Sequence, residues 1–189
     1  MPSTETMSTS TGSTDTIGDI ILQDHQEIRS LFVKYEQSSI LDEKYDIIQK
    51  ARTLLLPHES AEEEVLYPKL RKEVAGGSEI ADERTQEEQG AEKLFKEIEN
   101  MDSSSPDFIS AADKLVEEVR KHASEEERYV LPALMQRFSQ KELIGMGNDF
   151  KKAKSSAPTH PHPNAPHKGI GKTVAGKVAA TMEHLQDKT

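Results

Sequence analysis

Apolar residues recur with a helical period through most of the chain. Ile17, Ile20, Ile21, Ile28, Leu31, Phe32 and Tyr35 are spaced to lie along one face of a helix. That helix is expected to start near Asp15 or Thr16, either of which can cap it. "SSILDE" breaks the pattern, and a second periodic segment runs from about Leu41 to Val74, where "AGG" ends it. Pro57 and Pro68 fall inside this segment and are expected to kink or interrupt it. A third helix is predicted from about Ser78 to Met101, and a fourth from Pro106 to about Phe138. "SQKEL" at Ser139 carries the capping-box pattern of a short further helix.

Four long amphipathic segments with short connections predict an all-α, up-down-up-down four-helix bundle over roughly residues 15–138. The short helix extends the domain to about residue 150. Residues 1–14 are Ser/Thr-rich with little to bury, so disorder is expected there. From residue 151 the chain changes character. Its last segment holds seven Lys against two acids and includes the Pro/His-rich run "SSAPTHPHPNAPHKGIGK". This basic tail is expected to be mostly irregular, with "TVAGKVAATMEHLQ" a weak terminal helix. Its His160, His162 and His167 are expected to belong to a flexible segment rather than a metal site, and His184 to the surface.

Composition narrows the chemistry. Hydrophobic residues make up 34% and charged ones 31%, with no Trp, which suits a helical domain better than a β-sandwich. The net charge of -10 argues against non-specific nucleic-acid binding. Cysteine is absent, so disulfides, thiolate metal sites and Cys nucleophiles are excluded, and any metal must be held by His and carboxylates. No apolar run approaches the roughly 18 residues of a membrane span. The N-terminus has neither the basic nor the apolar region of a secretory signal. A cytoplasmic protein is expected, with the nucleus as the other possible compartment.

The second and fourth segments share a motif. "HESAEEEVLYPKL" from His58 and "HASEEERYVLPAL" from His122 both fit H-x3-E-x5-P-x-L. The matched positions are His58, Glu62, Pro68 and Leu70, then His122, Glu126, Pro132 and Leu134. The bundle therefore reads as a duplicated helix pair. Residues i and i+4 share a helix face, so each His/Glu pair can reach one metal or a pair of metals. The flanking Leu54, Leu55, Val65, Leu115 and Val119 turn both pairs toward the core. Buried carboxylates are costly without hydrogen bonds or a cation. The plainer alternative is a water-bridged polar core. His25, between Ile21 and Ile28, also points inward. Glu59 lies at the edge of the His58 face, where it can bridge two metals or be a solvated acid. Glu63, Glu64, Glu125 and Glu127 read as solvated faces.

"DH" on the first helix, with the two H-x3-E motifs, resembles the hemerythrin-like, or HHE cation-binding, domain over about residues 17–138. The tail also resembles extensions found on some microbial and fungal members. The resemblance implies a non-haem di-iron centre inside a four-helix bundle. Carried over by position, the ligands are His25, His58, Glu62, His122 and Glu126, and Glu59 matches a bridging acid of some members. Iron is the implied cofactor, as a pair, with manganese or a single ion as alternatives. The implied small-molecule partners are O2, NO or peroxide, with no nucleic acid and no membrane. No catalytic residue is singled out.

The third helix departs from the family pattern, because no His lies between His58 and His122. The repeat offset points to Gln89. Helical phase points one residue back: from Glu88, apolar residues fall at the same offsets as they do from His25. Glu88 is the expected substitute, with Glu87 as an alternative and Arg84 as a residue that could pair with Glu88. A carboxylate there implies a lowered reduction potential and poorer reversible O2 binding. Ile28, Leu55, Phe95 and Val119 are expected to wall the site. The leading expectation is a metal- and O2-related binding protein acting in O2, NO, peroxide or iron handling or sensing. A di-iron oxidase or peroxidase and a metal-free helical adaptor are the alternatives.

Overall fold

Thr16 closes the first helix with a full capping box. Its Oγ1 accepts from the Asp19 N–H at 3.1 Å, and Asp19 Oδ2 accepts from the Thr16 N–H at 2.9 Å. The computed structural model describes residues 14–157, and all regular structure within them is helical. Helix α1 spans Ile17–Gln37 and α2 spans Leu41–Ala61. A π turn, Glu62–Leu66, leads without a break into α3, Tyr67–Glu73. Helix α4 covers Gly77–Glu99. Helix α5, Pro106–Glu125, passes through a second π turn, Glu126–Val130, into α6, Leu131–Arg137. Helix α7 spans Gln140–Ser156. The expected N-terminal disorder falls almost wholly outside the described residues, and so do the four tail histidines and the weak terminal helix. No helix among the described residues is long and apolar enough to cross a membrane.

Pro57 and Pro68, both expected to kink or interrupt the second segment, act differently from each other. Pro57 lies inside α2, which continues through it. Pro68 and Pro132 sit in the first turns of α3 and α6. Each follows a residue whose N–H reaches five residues back: Tyr67 to the Glu62 carbonyl, Leu131 to the Glu126 carbonyl. The widened turn absorbs the donor that proline lacks. Both π turns start on the Glu of the repeated motif.

Gly76 adopts φ 71° in the turn before α4, a left-handed conformation that suits glycine. Helix α7 is longer than the short helix expected, and it carries the domain past residue 150. It packs on α1 and α2 through Leu143, Met146 and Phe150. Gly147 permits that approach, because a Cβ there would fall 2.7 Å from the Asp15 carbonyl oxygen.

Contacts between the long helices run antiparallel. Asp24 meets His58, and the Tyr35 carbonyl meets Lys44, which opposes α1 to α2. Arg71 meets Asp82 and Tyr67 meets Glu88, opposing α3 to α4. Glu87 meets Lys121 and Arg84 meets Glu125, opposing α4 to α5. Tyr35 meets Asp113 and His25 meets Glu127, opposing α5 and the π turn after it to α1.

The core is split into two apolar clusters. One holds Phe32, Leu55, Phe95, Ile98, Phe108 and Leu115 among others. The second is built around Ile17, Ile21, Leu66, Leu70, Leu134 and Phe150. Between them every long helix crosses one buried polar layer: His25 on α1, His58 and Glu59 on α2 with Glu62 after it, Arg84 and Glu88 on α4, His122 on α5 with Glu126 after it.

Candidate metal centre

That layer brings together the residues of the repeated motif. One group of donor atoms comes from His25, His58, Glu62 and Glu126, all within 4.8 Å of one another. A second comes from Glu62, Glu88 and His122, within the same limit. Glu62 belongs to both. Its Oε1 lies 3.1 Å from His58 Nε2 and its Oε2 lies 3.9 Å from His122 Nε2. Glu126 Oε2 lies 3.4 Å from His25 Nε2 and 3.6 Å from His122 Nε2. Thus Glu62 and Glu126 each face histidines of both groups.

The three rings are oriented alike. His25 donates from Nδ1 to Glu127 at 2.9 Å, His58 to Asp24 at 2.9 Å and His122 to Glu87 at 3.1 Å. Each Nε2 is left buried without a hydrogen-bond partner, and so are both Glu62 oxygens, Glu88 Oε2 and Glu126 Oε2. A carboxylate on one ring nitrogen fixes the tautomer and frees the other for a metal. Inward-facing nitrogens and oxygens, held by outward hydrogen bonds and otherwise unsatisfied, fit a cation.

The charges are strongly coupled. For His58, burial works to lower the pKa, but the Glu62 charge and the Asp24 hydrogen bond outweigh it and raise it to about 10. His122 is also raised well above its ordinary value, as the Glu126 and Glu62 carboxylates beside it and the hydrogen bond to Glu87 overcome burial. Burial pushes Glu62 up, yet His58 and His122 hold it well below the usual carboxylate range. Burial, reinforced by Glu59 and Glu62, drives Glu88 well above that range. Glu59 is raised to about 8 by burial, against the His122 charge.

Glu88 is buried and reaches the second donor group, whereas Gln89 is only half-buried. Arg84 pairs with Glu87 and Glu125 rather than with Glu88. Glu87, the alternative ligand, faces outward instead and holds His122. Glu59 is buried in the layer but contributes to neither donor group. Two sequence expectations change here. Glu127 is not simply a solvated acid, because it accepts from His25 and from Arg29 at 2.8 Å. Glu125 lies in the Arg84 and Lys121 network.

Two residues at the centre went unnoticed in the sequence. Asp24 orients His58 and accepts from Lys154 of α7 at 2.5 Å. Tyr67, buried, donates a very short hydrogen bond to Glu88 Oε1 and lies 3.3 Å from Glu126 Oε1. The "LYP" that follows Glu62 is its only sequence signal, and an apolar face explains it equally well.

A small cavity, about 10 Å³ measured to the centre of a water-sized sphere, opens beside the three imidazoles. Ile28, Phe32, Leu55 and Val119 form its apolar wall, with Arg29 and Arg120 at the side. Phe95 belongs to the same core cluster as these wall residues but does not line the cavity.

A family model described as the hemerythrin HHE cation binding domain matches residues 16–134. An "uncharacterized hemerythrin-like protein" of Schizosaccharomyces pombe is 33% identical over 172 residues, covering 90% of this chain and 85% of that one. A DNA nickase of a Nostoc species is 29% identical over 141 residues, which is 74% of this chain but 39% of the nickase. No solved structure gives a significant match.

Proposed function

The chain belongs to the hemerythrin HHE cation-binding family, and from that premise we propose that its polar layer binds a pair of non-haem iron ions for handling or sensing O2, NO or peroxide. One observation carries the reading. Three imidazole Nε2 atoms, each with its Nδ1 tied to a carboxylate, converge unpartnered on unpartnered oxygens of Glu62, Glu88 and Glu126. A water-bridged polar core gives no reason for all three rings to take the same orientation.

His25, His58, Glu62 and Glu126 would hold one ion, and Glu62, Glu88 and His122 the other. Bound iron supplies a redox-active Lewis acid for a small ligand. The chain's own part is to position and to exclude. Asp24, Glu87 and Glu127 keep a proton on each Nδ1. Ile28, Phe32, Leu55 and Val119 keep bulk water from the Nε2 side. Tyr67 keeps its proton on Oη, directed at Glu88, because burial and the Glu88 charge push its pKa well above the usual phenol value. The cavity has room for about one water-sized molecule, which supports a diatomic or triatomic ligand over an organic substrate.

The test is metal content with the optical spectrum of full-length protein produced with iron. About two irons per chain are expected, falling in His58→Ala and Glu62→Ala. A wild-type protein that retains no metal, with these variants unchanged from it, would favour the helical adaptor instead.

A further inference from the structure

We propose that the two metal positions are unequal and fill in order, the His25–His58–Glu62–Glu126 position first and the Glu62–Glu88–His122 position second. The second also discriminates less between Zn2+ and Mn2+. This inference rests on the metal-binding reading above and concerns what this chain's own donor set does to it.

The first group offers two imidazoles and two carboxylates, the second offers one imidazole and two carboxylates, and Glu126 of the first also faces His122, so the difference that remains is one imidazole. The difference arises on α4, where Glu88 stands at the position expected for a histidine. Glu88 offers a single free oxygen, because Tyr67 occupies Oε1 and only Oε2 is unpartnered. Among the described residues no second imidazole joins this group. Arg84 and Lys121, the nearby cations, are engaged by Glu87 and Glu125.

Two physical effects then act in the same direction. Imidazole favours zinc and the later metals, whereas carboxylate suits magnesium, calcium and manganese, so replacing a nitrogen by an oxygen narrows the gap between Zn2+ and Mn2+. Glu62 is shared as well. An ion in the first position draws on Glu62 Oε1 and adds positive charge beside Glu62 Oε2, so the second ion meets a weakened donor and a like charge. The shared carboxylate weakens the second step for either ion, the missing nitrogen weakens it further for Zn2+, and neither weakens the first step.

The experiment is calorimetric titration of metal-free full-length protein with Mn2+, then with Zn2+, in wild type, Glu88→Gln and Glu88→His. Two events separated by at least about tenfold in Kd are expected in wild type, since even outer-shell changes cost that much. Glu88→Gln should abolish the weaker event and leave the stronger. Glu88→His should tighten the weaker event for Zn2+ more than for Mn2+. Two events of equal affinity, or a weaker event indifferent to both substitutions, would overturn the ordering while leaving the metal reading intact. No binding event in wild type would overturn both.

Discussion

Replacing Asp24 by Ala removes the acceptor that fixes His58 without touching a metal donor. In the structure the Nδ1–H of His58 donates to Asp24 Oδ2 at 2.9 Å, with the His58 and Asp24 side chains 1% and 15% exposed. A hydrogen bond to a charged partner in such a place contributes about 1.5–3 kcal/mol. Part of that holds the tautomer that presents Nε2 to the metal. The resulting loss of metal affinity should be about 10- to 100-fold. Lys154→Met probes the next link, since Lys154 donates to the same Asp24 oxygen from α7 at 2.5 Å. Its effect should be smaller, within about tenfold, because Asp24 keeps His58. The assay is competition against a chromophoric chelator, with circular dichroism to show that the helices persist. An Asp24→Ala protein that binds within about twofold of wild type would refute the claim that this acid prepares His58.

The metal-free protein should lose stability as pH rises. His58, at about 10 folded and 6.5 unfolded, contributes fully below about pH 6.5 and loses that contribution up to about pH 10. Glu59, at about 8 folded and 4.5 unfolded, loses its contribution between those values. Urea unfolding at pH 6, 7 and 8 checks this, and stability that rises across the series would contradict it. Tyr67→Phe leaves Glu88 Oε1 without its donor and should cost the metal-free protein about 1–3 kcal/mol, read by the same unfolding curves. Phe150→Ala opens a cavity where α7 meets His58, whose ring centroid lies 5.7 Å from that of Phe150. A loss of about 3–5 kcal/mol is expected in thermal or urea unfolding.

The helices and the repeated His/Glu pairs were legible because both depend on local spacing. Apolar period placed Ile17–Gln37 to within a residue or two, and i, i+4 spacing put His58 with Glu62 and His122 with Glu126 on one face. The π turns were not legible, because the one extra residue in each shifts the apolar phase only once, within a short segment. Pro68 and Pro132, each six residues after its Glu, are the signal that could have revealed them. The orienting acids escaped for a different reason. Asp24, Glu87 and Glu127 are each the chain neighbour of a candidate ligand, but each serves a histidine on another helix. Cross-helix register decides that, and a single sequence does not encode it locally. The length of α7 was hidden by Gly145 and Gly147, poor helix formers that packing on α1 overrides.

The layer also bears on why the bundle has two core clusters rather than one. Filling it with apolar side chains would give a continuous core and avoid the cost of burying several charges. The metal-free chain instead meets that cost by keeping protons on His58 and His122 and by pushing Glu59 and Glu88 toward their neutral forms. Those protons occupy the lone pairs that a cation needs, so loading the layer must release protons as it satisfies the unpartnered atoms. Stability, metal affinity and pH are thereby joined in one set of residues. The duplication supplies a nearly symmetric frame, with a His, a Glu, a π turn and a proline in each half. The donors contributed by the remaining two helices break that symmetry, with His25 on α1 and Glu88 on α4. Because Glu88 also accepts from Tyr67 just beyond the first π turn, the α4 corner is tied to the neighbouring half by a hydrogen bond. A histidine at 88 would lose an oxygen for Tyr67 to donate to, so the phenol and the carboxylate act as a pair, and the chemistry of the second position depends on both.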